Sequence, residues 1–206
     1  MSFYARRILP HLINKACSVK PVMKQREKIV PLAQGRVLEI GIGGGLNLPF
    51  YDQSKVSHLF GLDSSAQLMT TAHQRAEQTE LAFEPLLLDA ATIPLDDNEV
   101  DTVLVTYTLC SIDALQDALS EMRRVLKPSG KLLFSEHTAA PDVSVRSWQR
   151  RITPIWKRVG GGCRLDRETP KEIEAAGFQI EALDNMYLPG TPRIVGHNSW
   201  GIASAR

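Results

Sequence analysis

The sequence predicts an α/β protein built on a doubly wound, mostly parallel sheet, and three observations carry that prediction. Short apolar runs recur at 37–40, 58–62, 85–88, 100–106 and 131–135. Each is too short for a helix and continuous rather than alternating, which means burial on both faces. Helical stretches at 64–79, 113–126 and 170–176 fall between or after these runs, and a glycine-rich turn follows the first of them. At 206 residues and 43% hydrophobic side chains, the chain makes one domain with enough apolar volume for a real core.

The order of elements opens with helix. Phe3, Ile8, Leu9, Leu12, Ile13 and Ala16 stand at roughly helical spacing, interrupted by Pro10 and Pro21. Residues 1–34 are therefore expected to form a helical lid on the same domain whose body is 35–206. Asp113 is placed to cap the helix after it, with Gln116 three residues on, and Thr169-Pro170-Lys171-Glu172 reads as a capping box with proline at the first helical position. Gly177 supplies a left-handed stop, and Lys127-Pro128-Ser129-Gly130 reads as a turn handing helix to strand. Two closing strands are expected at 178–184 and 194–205.

Composition excludes several classes. No apolar run reaches the ~18 residues of a membrane span, and the N-terminal residues lack the apolar region of a secretory signal. Cys17, Cys110 and Cys163 have no CxxC spacing, so a disulfide scaffold and a Cys-rich zinc site are disfavoured, no metal is expected, and a cytoplasmic location fits. Net charge is +1 but uneven: residues 1–36 hold eight Lys/Arg against Glu27 alone, or +7, and the other 170 carry 16 basic and 22 acidic groups, or −6. A second basic stretch runs through Arg146, Arg150, Arg151, Lys157, Arg158 and Arg164. Such asymmetry suits an anionic surface or ligand, or else a solvated helix face.

The stretch Glu39-Ile40-Gly41-Ile42-Gly43-Gly44-Gly45-Leu46-Asn47 is the most informative. Glycines there permit positive φ and leave backbone N–H groups bare for a ligand. A dinucleotide site wants a small third residue in Gly-x-Gly-x-x-Gly/Ala, but position 46 is Leu46, and from Gly43 the position is Leu48. Glu39 would also repel a pyrophosphate. A carboxylate there suits a cation such as an amino-acid ammonium. Asp63 ends the second strand, where an acid can accept both hydroxyls of a ribose; the alternative is a helix cap before Ser64 and Ser65. Asp89-Ala90 ends the third, where an exocyclic amine and a purine edge can dock. Together these are the parts of S-adenosylmethionine rather than of NAD.

Glu39-x-Gly41-x-Gly43-x-Gly45, Asp63, Asp89-Ala90 and Leu126-Lys127-Pro128-Ser129-Gly130-Lys131 resemble the successive motifs of class I S-adenosylmethionine-dependent methyltransferases, over roughly residues 30–206. That resemblance implies a seven-stranded sheet whose last strand inserts antiparallel. It also implies cofactor contacts by Glu39, Gly41, Gly43, Asp63, Asp89 and Ala90, to which Gly45, Ser64, Thr106 and Leu109 are added as neighbours, with S-adenosylhomocysteine as product. Leu109-Cys110-Ser111-Ile112, Glu136-His137-Thr138, Trp148-Gln149, the stretch from Gly162 to Glu168, and Gly196-His197 with Gly201 are similar to the subgroup that includes membrane-anchored alkyl-thiol methyltransferases. Quinone and phospholipid methyltransferases resemble the chain more distantly.

Methyl transfer is an in-line displacement, so the protein aligns the groups and excludes water. A general base is needed only for a nucleophile that arrives protonated, and a thiol near pKa ~8.5 needs little help. His137 is the candidate base or orienting group, the alternative being a histidine bonded to Glu136 or backbone; Glu136 is the candidate support. Asn-Pro-Pro-Tyr, which resembles amine-methylating enzymes, is replaced by Thr106-Tyr107-Thr108-Leu109, so nucleic-acid bases are disfavoured. The mixed apolar and cationic segment from Trp148 to Arg164 and the N-terminal helix are expected to cover the pocket mouth. They would give an apolar throat with a cationic rim, suited to weak contact with an anionic membrane at its inner face. The expected acceptor is a small, fairly apolar molecule, thiol first, then a quinone or phenol or a phospholipid amine. A non-catalytic S-adenosylmethionine-binding protein is the rival of another class.

Overall fold

The computed structural model describes residues 9–205. Its elements in order are α1 (Leu9–Cys17), α2 (Lys20–Ile29), β1 (Gly35–Ile40), β2 (Val56–Asp63), α3 (Ala66–Ala76), β3 (Phe83–Leu87), β4 (Val100–Thr106), α4 (Leu115–Val125), β5 (Leu126–His137), α5 (Val143–Val159), α6 (Thr169–Ala175), β6 (Phe178–Tyr187), α7 (Arg193–Gly196) and β7 (His197–Ala205). Phe3 and Ile8 of the expected lid lie outside the described residues.

Seven strands form one sheet in the order β3-β2-β1-β4-β5-β7-β6. The first five pair in parallel, and β7 lies antiparallel between β5 and β6. Continuous apolar runs follow from cover on both faces. On one face Leu38, Ile40, Val103, Val105, Leu132 and Phe134 pack with Leu119 and Met122 of α4 and Ile173 of α6. On the other, Val37, Leu59, Leu104 and Leu133 pack against Ile29 and Val30 at the end of α2. Each fully buried Leu, Val or Phe contributes about 1.5–3 kcal/mol, so the central strands anchor everything at their ends.

Local signals give way where a tertiary partner competes. Asp113 does not cap α4: the helix starts at Leu115 behind Ala114, and Asp113 instead accepts from Lys157 Nζ at 2.6 Å. The expected capping box at Thr169 does not form either, because Thr169 is fully buried; its amide donates to Thr138 Oγ1 (3.2 Å) and its hydroxyl to the His137 carbonyl (3.4 Å). Gly177 does stop α6 with φ +88°. Lys127–Gly130 is absorbed into β5 as a bulge, its extra residues lying between the Val100–Leu126 and Thr102–Lys131 pairs. The segment expected as a pocket cover begins inside a single 17-residue helix, α5, with Pro154 in its interior. No helix among the described residues is long and apolar enough to cross a membrane.

Candidate functional site

The site grows from the carboxyl ends of β1, β2 and β4. β1 runs into Gly41, whose φ of +70° and close approach to the Thr108 side chain leave no room for a Cβ. Gly43 also has positive φ (+56°), but the space beside it is open, the nearest atom to a Cβ there being the Gly41 carbonyl oxygen at 3.9 Å. Asp63 ties the loop down: Oδ2 accepts from Gly43 N (2.9 Å) and Oδ1 from Ser65 N (2.8 Å), and burial pushes its carboxyl above the usual range. The N-cap of α3 is Ser65, whose hydroxyl accepts from Leu68 N, so Asp63 keeps lone pairs for a ligand. Asp89 Oδ1 accepts from Ala91 N (2.9 Å), Asp89 is exposed, and Ala90 is buried beside it.

The loop after β4 is held from two sides. Tyr107 stands in the left-handed region at φ +56°, a conformation costly for an aromatic residue and kept only where surroundings impose it. Glu136, at the end of β5 and 0% exposed, imposes it: Oε1 accepts from Thr108 N (2.7 Å) and Leu109 N (3.0 Å), and Oε2 from Cys110 N (3.3 Å). Burial pushes Glu136 up to about 7 against the pull of these three amides and of the Arg167 charge. Arg167 works from the opposite side, donating through Nη1 to the carbonyls of Leu109 and Ile112.

A third group belongs to none of the sequence motifs. Arg26 of α2 is only 4% exposed. Its Nη1 donates to Asn47 Oδ1 (2.7 Å) and Thr106 Oγ1 (2.6 Å), and the guanidinium lies 5.3 Å from the centre of the Tyr107 ring. Asn47 Nδ2 donates to Glu39 Oε1 (2.8 Å) and Thr106 Oγ1 (2.9 Å), and Tyr51 donates to Glu39 Oε2 (2.7 Å). Burial pushes Glu39 up to about 7. The available signal was positional: Val22, Arg26 and Ile29 fall at i, i+4 and i+7, which puts a cation on the buried stripe of α2.

These elements enclose a cleft in two lobes. One, of about 380 Å³, is lined by Asp63, Ser64, Leu88, Asp89, Ala90, Ile112 and Asp113 among others. The larger, of about 790 Å³, is lined by the glycine loop, Asp63 and Ser64, by Thr106, Tyr107 and Thr108, by Leu9, Ile13, Asn14 and Cys17 of α1, by Arg26, and by Lys157 and Arg158 at the end of α5. Gly41, Asp63, Ser64, Thr108, Ser111 and Gly161 belong to both lobes. Both volumes are in the range of small-molecule sites.

Seven of the expected cofactor residues therefore meet at the cleft: Gly41, Gly43, Asp63, Ser64, Asp89, Ala90 and Thr106. Glu39, Gly45 and Leu109 lie behind its wall. Glu39 is sealed by Asn47 and Tyr51, Gly45 (φ +75°) packs within 2.7 Å of Leu48 and 3.2 Å of Ala72 at a notional Cβ, and Leu109 is fully buried in the core. Neither Glu136 nor His137 lines the cleft. His137 is 8% exposed, both ring nitrogens lack partners, and burial, with His197 nearby, lowers its pKa to about 4. The three cysteines, scattered in sequence, converge: Cys163 stands beside Cys110 and acts electrostatically on Cys17, and burial raises the Cys17 thiol.

Residues 38–134 match a family described as a methyltransferase domain. Thiol S-methyltransferase TMT1B of Rattus norvegicus is 36% identical over 169 residues, covering 78% of this chain and 68% of the relative. Thiol S-methyltransferase TMT1A of Homo sapiens is 30% identical over 177 residues, covering 84% and 72%. A solved S-adenosylmethionine-dependent methyltransferase from Aquifex aeolicus shares the fold, with a TM-score of 0.67 at 19% identity over 96% of this chain and 98% of that one. The order of strands, the glycine turn with acids after β2 and β3, and relatives at this identity lead to one conclusion: the chain belongs to the family of S-adenosylmethionine-dependent methyltransferases.

Proposed function

We propose that this methyltransferase acts on small apolar thiols, taken up as thiolates. The observation that carries the reading is the chemistry of the larger lobe. Its apolar wall includes Leu9, Ile13, Ile42, Leu46 and Leu68, and its ionisable side chains among the described residues are Cys17, Arg26, Asp63, Tyr107, Lys157 and Arg158. No histidine or glutamate is among them, and Asp63, held by the amides of Gly43 and Ser65, is assigned to the ribose and not to a base. An amine or hydroxyl needs a base to remove its proton; a thiol near ~8.5 already supplies a few per cent of nucleophilic thiolate at pH 7 without one. The two thiol S-methyltransferase relatives support the same acceptor.

In this reading Asp63 holds the ribose hydroxyls, Asp89 and Ala90 the adenine edge, and the open backbone at Gly43 the amino-acid end. Gly41 and Gly43 let the chain approach without a Cβ in the way. When bound, S-adenosylmethionine supplies the methyl group and leaves as S-adenosylhomocysteine. Glu39 is assigned to orienting Asn47 and, through it, Arg26. Glu136 is a positioning residue: it fixes the backbone that presents Tyr107 and Thr108 to the cleft. His137, neutral near pH 7 and behind the wall, supports packing rather than moving a proton.

Labelled methyl transfer to a panel of alkyl and aryl thiols, phenols, quinols and amines tests the acceptor. Thiols are expected to be methylated fastest; transfer to amines or quinols alone overturns the reading. Other residues of the helices α1 and α5, which line the larger lobe at Leu9, Ile13, Lys157 and Arg158, are apolar and exposed: Leu12, Trp148 and Ile155, with Arg151 stacked over Trp148. We assign this surface a weak, peripheral contact with anionic membrane. Co-sedimentation with anionic vesicles should exceed that with neutral ones at low salt and fall as salt rises; equal sedimentation removes the assignment.

A further inference from the structure

We propose that Arg26 is the anion seat at the acceptor end of the cleft and selects the acceptor in its deprotonated form. The inference rests on the thiol reading above and names the group that enforces it. Arg26 comes from α2, outside the glycine and acid motifs, and reaches the cleft on its β4 side, next to Thr106 and Tyr107.

Its charge is incompletely answered. No ion pair to Arg26 exists among the described residues; Asn47 stands between it and Glu39, accepting from one and donating to the other. Both bonds to Asn47 and Thr106 use the single nitrogen Nη1, and Nε is buried without a partner. The titratable groups facing Arg26 are Cys17 on α1, Glu39 on β1, Tyr51 beyond it and Tyr107 after β4. Burial favours the neutral form of Cys17, Tyr51 and Tyr107, and Glu39, pushed up to about 7, is held off the guanidinium by Asn47, so none bonds Arg26 as a counter-ion. A buried guanidinium with a spare donor and little compensation at an apolar wall favours one class of guest, a compact anion.

A thiolate meets that description, and so does a carboxylate on the cofactor. The position of Arg26 favours the thiolate. It sits beside Thr106 and Tyr107 after β4 and beside the Cys17 thiol, whose ionised form its charge favours, and its bond to Asn47 joins this end of the cleft to the glycine loop. The acceptor is captured already ionised, its proton left in bulk water, so no side chain in the cleft has to receive it.

The test is the ionisation of thiophenol, followed by its ultraviolet absorbance, when bound to the complex of the enzyme with S-adenosylhomocysteine. Its apparent acid constant should rise about tenfold or more on the wild type, as expected for an opposite charge at close range. In Arg26→Gln that rise should vanish, the acid limb of kcat at saturating thiol should move up toward the free thiol, and S-adenosylhomocysteine affinity should change by no more than about threefold. Arg26→Lys, checked for a wild-type circular dichroism spectrum, should restore part of the shift. The wild-type titration needs no variant, and an unshifted thiol there overturns the proposal. So does an Arg26→Gln protein that loses product affinity about tenfold while bound thiol still ionises early, which would make Arg26 a carboxylate seat for the cofactor. Failure of the thiol reading looks different: the wild type then transfers methyl to no thiol at all.

Discussion

Glu136→Gln probes the clamp on the loop after β4. Glutamine keeps one oxygen in the place of Oε1, so the amides of Thr108 and Leu109 stay bonded, but its NH₂ then faces Cys110 N–H across 3.3 Å, donor against donor. One buried donor left unpaired costs about 1–3 kcal/mol. The substitution also removes a titration. Burial pushes Glu136 to about 7 in the folded protein, against about 4.3 in an unfolded chain. The folded state then holds the proton more tightly, so the carboxyl's contribution is present below the unfolded value and is lost as pH rises toward 7. Between pH 5 and pH 8 that loss is about 2–3 kcal/mol, and glutamine has none of it. Urea unfolding of both proteins at the two pH values measures the difference. Glu39, raised to about the same value, is present in both and cancels. The wild type should be more stable at pH 5, with its advantage shrinking by about 2–3 kcal/mol at pH 8. Turnover should fall while affinity for S-adenosylhomocysteine holds. An advantage identical at both pH values, or none at either, refutes the reasoning.

Asp63→Ala should weaken S-adenosylhomocysteine binding by about 1–3 kcal/mol in calorimetry, and unchanged affinity removes its ribose role. Gly41→Ala, which collides with Thr108 at positive φ, should cost about 2–4 kcal/mol of stability. Gly43→Ala, facing open space, should cost about 1–2 kcal/mol and lose ligand affinity instead; equal losses of stability in thermal melts defeat the contrast. His137 has a folded pKa lowered to about 4 against about 6.5 unfolded, so its contribution is present above pH 6.5 and lost as pH falls toward 4. His137→Leu should therefore flatten the stability change between pH 7 and pH 4.5 by about 2–3 kcal/mol in urea titrations, and an unchanged slope excludes the buried neutral imidazole.

What could be read in advance was what one strand or one turn decides. The runs 37–40 and 100–106 are buried on both faces as their continuity implies, and Asp63, Asp89 and Ala90 reach the cleft because strand ends in a parallel sheet all open on one edge. What depends on distant partners was not legible. Arg26 and Thr106 are 80 residues apart, so nothing local marks them as a bonded pair. Glu136 looked like an orienting acid by position, yet its role comes from three amides 26 to 28 residues upstream. Asp113 had cap chemistry, and a lysine on α5 outcompeted the helix end for it.

The placement of β7 between β5 and β6 has a consequence for how the protein is made. Residues 178–187 emerge from the ribosome before residues 197–205, yet β6 joins the sheet only through β7. During folding, β6 and the open flank of β5 therefore keep bare peptide groups until the later strand slides in. A chain in which residues 197–205 fail to dock therefore bares two strand edges at once, an invitation to edge-to-edge aggregation.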